Sequence, residues 1–115
     1  MVAVNGETYR VAYDDVANTV TFEGTLRLPG LVEYAPIKEL LDQVAFSGSE
    51  AITLDLRGLR FLNSAGINLL FQFALKLREQ AMDRIVALGA ADIPWQERSL
   101  LNLKKLVPEL QLVME

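Results

Sequence analysis

Between Ile52 and Leu77 the spacing of apolar residues changes period once, and the change falls on Asn63-Ser64-Ala65-Gly66. Before it, Ile52, Leu54 and Leu56 alternate with Thr53 and Asp55, which is the period of a strand. After it, Ile67, Leu69, Leu70, Phe71, Phe73, Ala74, Leu75 and Leu77 leave only a narrow polar stripe of Asn68, Gln72, Lys76 and Gln80, which is the period of a helix. Arg57 to Asn63 reads as the loop between them. A buried strand that turns directly into an apolar helix is half of a β-α-β unit, and such units assemble as a parallel sheet with crossover helices. The apolar face of this helix is wider than one sheet contact requires. It needs the sheet together with a neighbouring helix or a second protein to cover it.

The rest of the chain follows the same logic. Thr8 to Asp14 places Tyr9, Val11 and Tyr13 on one face, and Thr19 to Glu23 does the same with Val20 and Phe22. The turn-rich Asp14-Asp15-Val16-Ala17-Asn18 joins them into a β-hairpin. Leu28-Pro29-Gly30 breaks the alternation, and a helix is expected from Leu31 to Phe46, with Pro36 in its first turn. Arg84 to Leu88 is a buried-type strand closed by Gly89. Asp92-Ile93-Pro94 reads as a cap and first-turn Pro before a helix from Trp95 to Leu106, and Leu110 to Met114 as a last strand. The expected fold class is α/β. It is one domain over residues 1–115, with a mostly parallel sheet, an antiparallel N-terminal hairpin and helices packed against it.

Composition excludes several functions. The chain has no Cys and no His, which removes disulfides, thiol nucleophiles, imidazole acid–base chemistry and most transition-metal sites. The net charge is −4 with Lys and Arg scattered, so nucleic acid is not an expected partner. Arg57-Gly58-Leu59 holds one Gly and is not a phosphate-cradling loop. A Ser with neither His nor an evident Lys partner is not an activated nucleophile, so no catalytic residue and no cofactor are expected. The N-terminus lacks a basic segment followed by an apolar run, and no stretch reaches the roughly 18 apolar residues of a membrane span. A cytoplasmic protein of bacterial style, without direct membrane insertion, is the expectation.

Ser64 therefore has two uses. It stands where helix N–H groups are unpaired and the dipole is positive, so its hydroxyl can cap the helix or accept a phosphate. Phosphate adds roughly −1.5 to −2 charges, which the helix N-terminus tolerates and a covering partner would not. Gly66 lets another backbone approach, Asn63 reads as a cap or turn residue, and Ala65 and Ile67 border the same spot. Arg57 and Arg60 flank it, either as solvated loop residues or as contacts to an acidic partner or a phosphate. Asp55 sits just inside the buried strand end, either to hydrogen-bond the loop backbone or to project near the same surface. Tyr34 and Trp95 are candidate exposed aromatics, with a core role favoured for Trp95.

The element order, with Leu54-Asp55-Leu56 followed by Phe61-Leu62-Asn63-Ser64-Ala65-Gly66-Ile67, resembles the STAS domain family of bacterial anti-sigma factor antagonists. The resemblance implies a STAS-like domain that is a non-enzymatic switch. It implies a partner serine protein kinase or anti-sigma-type regulator that phosphorylates Ser64 and is bound around Arg57, Arg60, Asn63, Ser64, Ala65, Gly66 and Ile67. A PP2C-type phosphatase would reset it. Asn63 stands where the family usually has Asp, and Ala65 where Ser or Thr is frequent. The alternative within the same resemblance is a constitutive adaptor subunit of a larger assembly, such as an ABC-type lipid transporter or a stress-signalling complex.

Overall fold

The computed structural model describes residues 2–115. One six-stranded sheet runs in chain order: β1 (Val2–Asn5), β2 (Tyr9–Asp14), β3 (Thr19–Leu26), β4 (Ala51–Leu62), β5 (Arg84–Gly89) and β6 (Gln111–Met114). Its first two pairings are antiparallel and the other three are parallel. Each parallel step carries a crossover helix: α1 (Leu31–Ala45), α2 (Ser64–Glu79) and α3 (Gln96–Leu106). The expected hairpin is present, with Val11 opposite Phe22 and Tyr13 opposite Val20, so the apolar positions of β2 and β3 share the core face. An additional strand, β1, extends this antiparallel part to three strands. Its four residues, of which Val4 alone is half-buried, are too short a run to show an alternation of their own.

One core joins this sheet face to all three helices. Ile52, Leu54 and Leu56 of β4 lie beneath it, with Leu69, Leu70, Phe73, Ala74 and Leu77 of α2 above. The breadth of the apolar face on α2 has a plain cause: α2 is the central helix and packs against α1 on one side and α3 on the other. Lys76 of α2 reaches Asp42 of α1 at 2.8 Å, Lys38 reaches it at 2.8 Å as well, and Lys76 also lies over the Phe46 ring. Burial raises the Asp42 pKa, and the two lysines outweigh that and hold it below its ordinary value.

Four local expectations are corrected. Pro36 falls in the second turn of α1, not the first, and so leaves the Val32 carbonyl without its intrahelical partner. Val32 is exposed, so water can satisfy that carbonyl. Asp92 does not cap α3, which begins at Gln96 after Trp95 without a side-chain cap. Tyr34 is buried, at 2% exposure.

The fourth correction bears on the site. Arg57 to Leu62 is not a loop; it continues β4 to twelve residues. β5 pairs with β4 only as far as Asp55, and β3 carries the pairing on to Leu62. On the side that β5 vacates, α3 supplies the missing donors. Gln96 Nε2 donates to the Leu56 carbonyl at 2.6 Å and the Leu59 carbonyl at 3.0 Å, and Trp95 Nε1 donates to Leu59 at 2.9 Å. Gln96 Oε1 in turn accepts from the Ala90 N–H at 2.7 Å. This fully buried amide thus replaces a strand neighbour, as buried backbone polar groups require.

Candidate functional site

The junction between β4 and α2 is built on Asn63. Its backbone is extended, and its N–H donates to the Leu26 carbonyl at 3.1 Å, the last residue of β3. Its Oδ1 accepts from the Gly66 N–H at 3.0 Å, which caps α2, and from the Tyr34 hydroxyl of α1 at 2.7 Å. Its Nδ2 donates to the Leu28 carbonyl at 2.8 Å. One side chain therefore ties the start of α2 to α1 and to the β3–α1 loop. A carboxylate has no donor for Leu28, so this arrangement specifies Asn over Asp. Burial pushes the Tyr34 phenol above its ordinary pKa, and the Leu28 backbone opposes that in part.

Capping by Asn63 leaves Ser64 free. Ser64 is the first residue of α2, it is exposed, and its hydroxyl bonds to none of the described residues. The expectation that Ser64 caps the helix gives way to Asn63 in that role, as the N-cap position is the residue before the first helical one.

Gly66 is buried, and the reason is proximity. A Cβ there would lie 2.7 Å from the Tyr34 hydroxyl and in collision with Leu62. Ala65 and Ile67 are half-buried on either side of it, packed against the core rim. A small apolar void beneath this junction is lined by Leu62, Tyr34, Gly66, Leu69 and their neighbours. Its volume of about 10 Å³ holds at most a single water, so it is no ligand site.

The two arginines separate. Arg57 is committed within the chain: it pairs bidentately with Asp55, with Nε to Oδ1 at 2.9 Å and Nη2 to Oδ2 at 2.9 Å, and it reaches Glu115 at 3.2 Å. Asp55 also accepts from the Arg57 backbone N–H at 3.1 Å, one of the two roles open to it in the sequence. The Arg57 hydrogen bonds hold the Asp55 carboxyl below its ordinary pKa against the opposing effect of burial. Arg60 is exposed and has no carboxylate within salt-bridge reach among the described residues. It opens with Arg57 and Gly58 onto a polar cleft that Glu23, Asp92 and Ile93 also line. No group of metal-ligating side chains occurs among the described residues. No helix of the described residues is long and apolar enough to cross a membrane.

Sequence reasoning missed three participants. Tyr34 carried a signal, being a helix aromatic placed i−3 to the apolar Ile37, but its hydroxyl partner was not foreseeable. Gln96 carried none. Arg27, whose guanidinium stacks over the Phe61 ring at 4.7 Å, is brought there only because β3 and β4 end side by side.

No protein-family model matches the chain, and no curated protein matches it. Solved structures do match in fold. Apo-SiaC from Pseudomonas aeruginosa aligns with a TM-score of 0.75 at 12% identity, over 100% of this chain and 99% of that one. SiaC is also described as the activator of the diguanylate cyclase SiaD, and the structure of that complex aligns with a TM-score of 0.67 at 14% identity, over 100% of both chains. An anti-sigma factor antagonist from Mycobacterium paratuberculosis aligns with a TM-score of 0.61 at 17% identity, over 96% of this chain and 82% of that one. The Bacillus cell fate determinant SpoIIAA in its phosphorylated form aligns at 0.59 and 18%, over 93% and 92%. The chain thus has the STAS-like fold of these proteins along nearly its whole length.

Proposed function

We propose that this chain is a non-enzymatic protein-interaction switch, with its contact surface at the β4–α2 junction and its control by phosphorylation of Ser64. The observation that carries the reading is the exposed hydroxyl of Ser64 at the first position of α2, which bonds to none of the described residues, with capping already performed by Asn63. A hydroxyl with a structural partner would have to break that bond to react; this one has none to lose. Two relatives in fold support it. One is named as an anti-sigma factor antagonist and another is named in a phosphorylated form.

The chemistry assigns each residue a role. A partner serine kinase moves the γ-phosphoryl group of ATP to Ser64 Oγ; the bond to ADP breaks and the hydroxyl proton leaves to a base on the kinase. The positive end of α2 tolerates the new charge, so the domain stays folded. A partner lying over Ser64, Ala65, Gly66 and Ile67 would have to desolvate a dianion and is released. Asn63 holds the helix start in place, and Arg60, exposed and without a carboxylate in salt-bridge reach among the described residues, is the arginine of the pair left open to a partner. Arg57 keeps its bond to Asp55 and acts through the strand, not by direct contact. A PP2C-type phosphatase reverses the step. Phosphorylation with the cognate kinase and ATP should add one phosphate, absent from Ser64→Ala; equal labelling of that variant would defeat the assignment.

The second reading is a constitutive adaptor, and one observation favours it. Asn63 gives the junction a neutral amide where an acceptor-side carboxylate is usual, and the relative SiaC is named as the activator of an enzyme, in complex with it. Recovery of the same partner by the wild-type chain and by Ser64→Glu, with equal affinity, would select the adaptor.

A further inference from the structure

We infer that the polar cleft between the end of β4 and the β5–α3 loop is a binding site for a free α-amino acid, with Arg60 taking its carboxylate and Asp92 its ammonium group. The site goes beyond the reading of Ser64, which lines no part of the cleft.

The cleft exists because β4 is irregular. β3 and β4 keep step as far as Thr21 opposite Asp55, but Glu23 then faces Gly58, and Gly24 faces Leu59 before Thr25 faces Phe61. At each of these shifts β4 carries one residue more than β3, once within Leu56–Arg57 and once at Arg60. The alternation of the strand gives way with them. Leu56, Leu59 and Leu62 are buried, and Arg57, Gly58, Arg60 and Phe61 are exposed between them. A regular strand would send residues 57 and 60 to opposite faces; the bulges bring both arginines to one cleft. β5 has left β4 after Asp55, and the loop that follows β5 brings Asp92 and Ile93 to the same cleft, with Glu23 and Gly24 of β3. The space is about 480 Å³, within the roughly 300–1,000 Å³ of small-molecule sites. It lies toward the carboxyl ends of parallel strands, where α/β sheets take their ligands.

The charges select the ligand. Two of the ionic groups on the cleft are already compensated: Arg57 by Asp55 and Glu115, and Glu23 by Arg10. Arg60 and Asp92 are exposed, and neither side chain has a hydrogen bond or ion pair among the described residues, with each other included. One open cation and one open anion on a single cleft are complementary to a molecule that carries both charges itself. A lone anion would meet Asp92 and a lone cation would meet Arg60, so each is disfavoured. The Arg60 fork matches a carboxylate, and Asp92 accepts from an ammonium group. Ile93, half-buried, gives the side chain of the ligand an apolar surface.

Gly58 supports the assignment. A Cβ there would meet Glu23 Cγ at 3.4 Å, an ordinary contact, and the Gly58 backbone is not left-handed. Neither packing nor backbone therefore demands Gly at this position of a strand, where Gly is destabilising. What the missing side chain provides is room in the cleft.

The test is a titration of the nitrogen-labelled full chain with each standard amino acid at millimolar concentration, read by amide chemical shifts. At least one should saturably move the amides of Gly24, Gly58, Arg60, Asp92 and Ile93. Its N-acetyl derivative and its methyl ester, each lacking one charge, should bind about tenfold more weakly or worse. The parent amino acid should lose as much with Arg60→Gln and with Asp92→Asn. Both side chains are exposed and bond to none of the described residues, so folding is not at stake. Gly58→Ala should be at least as stable as wild type in urea and yet bind more weakly, a split that a purely structural glycine would not show. No saturable shift at the cleft with any amino acid overturns the inference. So does equal binding by the capped derivatives, by the two charge variants or by Gly58→Ala.

Discussion

Asn63 and Ser64 are neighbours with opposite expected sensitivities, and replacing each by Ala separates a structural residue from a chemical one. Asn63→Ala removes the cap on Gly66, which is worth about 0.5–2 kcal/mol. It also takes from the half-buried Leu28 carbonyl its amide donor and from the buried Tyr34 hydroxyl its acceptor, at about 1 kcal/mol apiece. The sum is a destabilisation of about 2–3 kcal/mol, allowing for non-additivity within one network. Ser64→Ala removes an exposed hydroxyl that bonds to none of the described residues and should stay within about 0.5 kcal/mol of wild type. Urea unfolding followed by far-UV circular dichroism measures both, with the slope held fixed as a check on two-state behaviour. A double-mutant cycle with Tyr34→Phe isolates the 2.7 Å bond, and a coupling of about 1 kcal/mol is expected from one buried hydrogen bond. Equal losses in the two Ala variants, or a coupling near zero, would refute the assignment of the cap and the tether to Asn63.

Other outcomes follow from the same contacts. Gly66→Ala should destabilise by about 1–3 kcal/mol, because the added methyl meets Leu62 and the Tyr34 hydroxyl; its pairing with Tyr34→Phe should recover part of that loss. Gln96→Ala should lower stability by about 2–4 kcal/mol, since it leaves the Leu56 carbonyl and the Ala90 N–H without their side-chain partner and the Leu59 carbonyl with Trp95 alone; hydrogen exchange at Leu59 to Leu62 should accelerate with it. The Arg57–Asp55 pair sets a pH dependence. The folded-state pKa of Asp55 is lowered, so its contribution is complete above the unfolded value of about 3.9 and is lost as pH falls through the lower folded value. The stability difference between wild type and Arg57→Ala should therefore be constant from neutral pH down to about that value and shrink below it; a difference that grows on acidification would contradict the pairing.

The architecture was readable from periodicity because its elements are long or strongly patterned. The switch from alternation to helical spacing at Ser64 located both β4 and α2, and the helices from Leu31 and near Trp95 were found within a residue or so of their ends. Failures fell where tertiary partners, not local pattern, decide the backbone. Arg57 to Leu62 carries charges and a Gly and looks like a loop; Gln96 and Trp95, distant in sequence, make it a strand. Val2–Asn5 is a strand only because β2 lies beside it. At the site, the position of Ser64 was legible, but its freedom was not, since that depends on Asn63 turning its amide both to Gly66 and to Leu28. Arg57 and Arg60 look alike in sequence, and only the approach of Asp55 and Glu115 tells the committed arginine from the open one.

The central claim is that Ser64 is a modified residue. Tandem mass spectrometry of the protein isolated from its native cells, in growth and under stress, tests it most directly. The account predicts a single phosphate, localised to Ser64, in a fraction of molecules that changes between conditions. Ser64 unmodified in every condition, or a phosphate found only on other residues, would contradict it.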